Sequence, residues 1–180
     1  MPRFFNTSGP NRIARHYTLP VLRRLPEVRG LVEQELYFVL HAPRQVGKTT
    51  ALLSLAQELT AEGRHTAVLL SMEQGAPFSS DPSAAELAML GSWRGAVEAW
   101  LPVELQPPSW PDAAPGDRIG AALRMWARAS SRPLVVFLDE IDALEDDALV
   151  SVLRQIRAGY PTRPERSEER RVGKECLRLC

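Results

Sequence analysis

Eight residues, Ala42-Pro-Arg-Gln-Val-Gly-Lys-Thr49, follow the spacing G-x-x-x-x-G-K-[ST] at every fixed position but the first. That spacing suits phosphate chemistry. Successive amide groups of Arg44, Gln45, Val46, Gly47, Lys48, Thr49 and Thr50 can turn inward around a phosphate, helped by the positive end of a following helix. Gly47 carries no Cβ, so the loop can close on the anion. Lys48 brings a compact ammonium to phosphate oxygens, and the Thr49 hydroxyl is a hard oxygen ligand for Mg²⁺. The chain has 20 arginines and only two lysines, Lys48 and Lys174, so lysine at this position is a choice of ammonium over guanidinium. Ala42 replaces the first glycine, which a negative φ there tolerates. The competing reading is an ordinary strand-to-helix turn that contains Gly-Lys-Thr.

A second cluster lies about ninety residues on. Leu134-Val-Val-Phe-Leu-Asp139-Glu140 is an apolar run ending in two acids. Asp139 can hold a magnesium-bound water, because Mg²⁺ keeps much of its hydration shell. Glu140 can polarise an attacking water as a general base. Acids after a buried strand can instead cap the next helix, and Asp142 is assigned that bracing role.

These residues need a strand before each cluster and a helix after it. Tyr37-Phe-Val-Leu-His41 reads as a compact buried strand, and 50–62 as a helix with Gly63 as its stop. A strand over 66–72 follows, then a helix over 83–101 with Ser83 as N-cap and Glu86 completing a capping box. The proline-rich stretch 102–116 reads as an exposed loop. Helices over 117–130 and 146–158 flank a strand over 133–138, whose continuous apolar run fits a parallel strand covered on both faces. Upstream, 19–36 has a helical period that Pro26 should break in two. Strands alternating with helices predict an α/β fold with a parallel sheet flanked by helices. Three units are expected: an N-terminal segment 1–35, a core 36–165 and a tail 166–180.

Composition narrows the classes. Net charge is zero and no basic stripe is visible, so nothing global points to nucleic acid, and that partner is left open. No apolar run approaches the roughly 20 residues that span a bilayer, and the start lacks a signal peptide, so the expected compartment is the cytoplasm. His16, His41 and His65 lack metal-ligand spacing. The last fifteen residues hold both cysteines, and Arg166–Cys176 matches the translation of a common short-read sequencing adapter. The tail is therefore read as non-native, and its cysteines as uninformative.

With both clusters in place, the two motifs look like a Walker A loop and a Walker B strand. Phe5-Asn-Thr-Ser-Gly-Pro10, His16-Tyr-Thr-Leu-Pro20, the 37–49 stretch, Leu138-Asp-Glu-Ile-Asp142 and Val152-Leu-Arg-Gln-Ile-Arg-Ala-Gly-Tyr160 resemble bacterial AAA-like (AAA+ or STAND-related) P-loop ATPases. The resemblance implies a P-loop NTPase of the additional-strand, catalytic-glutamate division, ATP and Mg²⁺ as cofactors, and hydrolysis in the intact protein. Lys48 and Glu140 are then the catalytic residues, and Thr49 and Asp139 the metal residues. It also implies adenine contacts within 6–17, protein partners or a homo-oligomer, and later modules that this stretch lacks. In such sheets another strand, following Walker B in sequence, separates the two motif strands. The chain is thus expected to be a truncated core, inactive alone and poorly stable. Two other functions stand beside hydrolysis: a nucleotide-state switch with negligible turnover, and an ATP-dependent DNA-transaction factor.

Overall fold

The computed structural model describes residues 4–5, 15–17, 26–41, 43 and 46–159. In chain order these form α1 (Pro26–Glu33), α2 (Lys48–Ala61), β1 (Thr66–Ser71), α3 (Pro82–Trp100), α4 (Arg118–Ala129), β2 (Leu134–Asp139) and α5 (Asp146–Gly159). Short 3-10 turns lie at Glu73–Phe78, Val103–Leu105 and Ile141–Ala143. The architecture is α/β. A small parallel sheet of β1 and β2 runs in register from Thr66 opposite Leu134 to Ser71 opposite Asp139.

Side-chain alternation along the two strands builds three layers. Ala67, Leu69, Val135 and Phe137 meet α1 and α2 through Val28, Val32, Leu52, Leu55 and Leu59. Val68, Leu70, Met72, Leu134, Val136 and Leu138 meet the opposite layer of α3, α4 and α5. Both faces are covered, which explains the unbroken apolar runs. Trp93 and Trp126 are fully buried, and each indole N–H is satisfied, by Ser71 O at 2.9 Å and Leu105 O at 3.1 Å.

Several expectations change. The segment 37–41 is not in a strand ladder. Phe38 and Leu40 pack half-buried on the α2 side, whereas Tyr37 and Val39 are 47% and 71% exposed. Alternation with period two is therefore present without a strand ladder among the described residues. A strand needs a neighbour, and among the described residues none bonds to this segment or to the β2 edge that faces away from β1. The helix α1 begins at Pro26, as suits a residue with no N–H to offer, and the part of the expected helical run before it, residues 19–25, lies outside the described ones.

The start of α3 also differs. Pro82 opens the helix and Asp81 caps it, its carboxylate accepting from Ala84 N at 3.0 Å, so Ser83 is not the cap. Glu86 is consequently free to turn inward. It is fully buried, accepts from Gly116 N at 3.1 Å and from the Gln155 amide, and so joins α3 to α5 and to the loop before α4. The loop 102–116 is exposed at most positions, as expected, and is anchored at a few. Leu105 is buried, and Trp110 donates to Leu90 O at 3.0 Å while Arg94 lies 5.1 Å above its ring. No described helix is long and apolar enough to cross a membrane.

Candidate functional site

Both strands end on the same side of the sheet, and the polar residues of interest lie there. This is where open α/β sheets bind ligands. Gly47 is the residue before α2, with φ 86° and ψ 28°, and a Cβ built on it would meet nothing within 4 Å. Glycine is required here by its left-handed backbone, not by lack of space, which refines the sequence argument. Lys48 and Thr50 are half-buried in the first turn of α2, and Val46, Gly47 and Thr49 are exposed. Ala42, Arg44 and Gln45 fall outside the described residues.

The two clusters meet. The Thr49 hydroxyl donates to Asp139 Oδ2 at 2.6 Å, across ninety residues of sequence. Asp139 holds its other oxygen against Glu140 N at 3.1 Å, and its carbonyl accepts from Met72 N at 2.9 Å. Its carboxylate is thus oriented from two sides.

Glu140 has φ 57°, a conformation costly for a residue with a side chain. Its carboxylate accepts from the Ser71 hydroxyl at 2.9 Å, and that hydroxyl accepts in turn from Glu73 N at 3.2 Å. Partial burial of the carboxyl raises the Glu140 pKa above the ordinary glutamate value. Repulsion from Glu73 and Asp139 adds to the rise, and the Ser71 bond opposes it. The residue as a whole remains solvent-exposed, so water reaches it. Ser71 and Glu73 were missed by sequence reasoning. The available signal was a hydroxyl residue closing an apolar strand, Leu69-Leu70-Ser71, but its neighbour in space was unknown.

A hydroxyl and a carboxylate oxygen 2.6 Å apart are hard donors of the kind Mg²⁺ takes. Among the described residues no group of three or more His, Cys, Asp or Glu side chains could hold a metal unaided. A cation at Thr49 and Asp139 therefore needs ligand oxygens and water to complete its shell, as Mg²⁺ at phosphates does. Two surface hollows of about 390 and 500 Å³ lie elsewhere, and neither is lined by Lys48, Thr49 or Asp139. Of the predicted site residues, Thr49, Asp139 and Glu140 are brought together, with Lys48 next to Thr49 on α2. Of the 6–17 segment assigned to adenine contacts, only 15–17 are described, with Phe4 edge-to-face with His16 and Phe5 tilted against Tyr17 at 4.9 and 5.0 Å between ring centres.

No protein-family model, no curated protein and no solved structure matches this chain.

Proposed function

We propose that this chain is the nucleotide-binding part of a P-loop ATPase of the catalytic-glutamate division, binding ATP with Mg²⁺ and hydrolysing it in the intact protein. The observation that carries the reading is the 2.6 Å contact between Thr49 and Asp139, with Gly47 in a left-handed turn at the start of α2. An ordinary strand-to-helix turn gives no reason for these two side chains to converge.

The residues divide the work by chemistry. Amides from Arg44 to Thr50 would wrap the β-phosphate at the positive end of α2. Lys48 contributes a mobile charge to the outer phosphate oxygens. Thr49 and Asp139 would hold Mg²⁺, the latter through water, and the ion would supply charge neutralisation at the phosphates. Glu140 takes the proton of the attacking water, which requires its carboxylate to be ionised and released from Ser71.

That bond between Ser71 and Glu140 also favours a second reading, a nucleotide-state switch with negligible turnover, because the base is occupied. One pair of substitutions in the intact protein tests both. Lys48→Ala should weaken ATP binding by about 10- to 100-fold. Glu140→Gln should keep ATP binding and lower turnover by roughly 10²- to 10⁴-fold. Undiminished binding in Lys48→Ala removes the site, and partner gating with no turnover in the unsubstituted protein selects the switch. A cytoplasmic location, protein partners and self-assembly belong to this reading as well. DNA-stimulated turnover that falls steeply with salt would move it to a DNA-transaction factor.

A further inference from the structure

The outer edge of β1 has a feature unrelated to the nucleotide site. The ladder starts with Thr66 N donating to Pro133 O and ends with Met72 N donating to Asp139 O. Even-numbered residues of β1 therefore bond to β2, and the main-chain groups of Ala67, Leu69 and Ser71 face the opposite edge. Side chains close both main-chain groups of Ala67 and the carbonyl of Ser71. The Thr60 hydroxyl accepts from Ala67 N at 2.9 Å and donates to Ala67 O at 3.1 Å, while the Trp93 indole donates to Ser71 O. Between them, the N–H and C=O of Leu69 have no hydrogen-bond partner on that edge among the described residues.

Leu69 opens into the hollow of about 390 Å³. One wall is α2, with Leu53 and Ala56, which covers the Ala67 and Leu69 face of the sheet. The other is the end of α3 and the turn that follows it, where Trp100 is 50% exposed and Leu105 is buried. A space between a helix on one sheet face and a chain segment on the other is where the next strand of a sheet would lie. An added strand sends alternate side chains to the two faces, here to walls that are mostly apolar, with Gln57, Glu104 and Arg132 at the lining as well.

We infer that this groove binds a short extended peptide segment, antiparallel to β1, through one residue that exchanges both main-chain hydrogen bonds with Leu69. The caps at Ala67 and Ser71 limit pairing to that residue, so recognition depends on one amide and the apolar side chains beside it. A helix offers no free main-chain donor and acceptor for Leu69, and so does not fit.

The test uses the full chain, labelled for amide NMR, with the capped peptide acetyl-Thr-Val-Thr-Val-Thr-amide as probe. A second peptide is identical except for N-methylation of its central threonine. The expected result is saturable movement of the Leu69 amide signal with the first peptide, and about tenfold weaker binding of the second. Leu69→Pro should also abolish binding and leave the β1–β2 ladder intact, since the N–H it removes faces the free edge. If that variant does not fold, the two peptides alone decide. The inference is overturned if the Leu69 signal stays unmoved at millimolar peptide, or if both peptides bind equally. It is also overturned if the Leu69 signal moves with protein concentration alone, which would make the occupant a second copy of the chain.

Discussion

At the scale of single residues, the site depends on backbone conformation as much as on functional groups. Gly47 sits at φ 86° with open space around it, so Gly47→Ala isolates the backbone cost, about 1–2 kcal/mol. Urea unfolding of this variant should show that loss without a change in slope, and ATP binding should weaken in parallel. The lysine, threonine and two acids could be singled out in the sequence because their chemistry and spacing are local, and the structure brings Thr49 to Asp139. Ser71 was not, since its role arises only when β1 lies beside β2 and brings its hydroxyl to Glu140. Nor was the left-handed φ of Glu140, which no property of a glutamate foretells.

At the scale of elements, periodicity located β1, β2, α3, α4 and α5 to within a residue or two, because each has a face to bury. What it did not supply were choices among neighbouring polar residues. Asp81, Ser83 and Glu86 can each serve a helix start, and Pro82 decides between them by fixing the first turn one residue earlier. An ion cluster joins α1 to the end of α2, where Glu62 pairs with Arg29 and Arg64. Hydrogen bonds from Arg29 and then Arg64 hold the Glu62 carboxyl down to about 2, below its ordinary 4.5. A lowered carboxylate pKa stabilises the fold above the unfolded value and loses that contribution as pH falls through the folded one. Melting temperatures of the protein and of Glu62→Gln should therefore differ above pH 4.5 and converge as pH approaches 2. The gap should be small and shrink in salt, because the pair is exposed.

At the scale of the whole molecule, the three layers are asymmetric along the sheet. The edge of β2 that faces away from β1 carries the main-chain groups of Leu134, Val136 and Leu138, and no strand bonds to them among the described residues. Amide exchange should alternate along β2. Val135, Phe137 and Asp139 donate into the ladder and should exchange about a hundredfold more slowly than Val136 and Leu138. Uniform protection would mean that something covers the edge. An open, half-buried strand edge also destabilises a small sheet, so residues 1–165 alone should unfold at low temperature and with poor cooperativity. The α/β class and the two covered faces were readable from apolar runs. Alternation at 37–41 records which faces are buried and not whether a neighbouring strand is present; the missing neighbour was expected from the resemblance alone, in which the intervening strand comes later in sequence.

Trp93 donates its indole proton to the carbonyl of Ser71, the residue whose hydroxyl holds Glu140. An aromatic chromophore in the core is thus wired, through one amino acid, to the acid beside the Thr49 contact. Release of Glu140 that displaces the end of β1 would stretch that bond and alter the light this indole emits, one of four in the chain. The protein carries its own optical gauge of the site, and no added label is needed to read it.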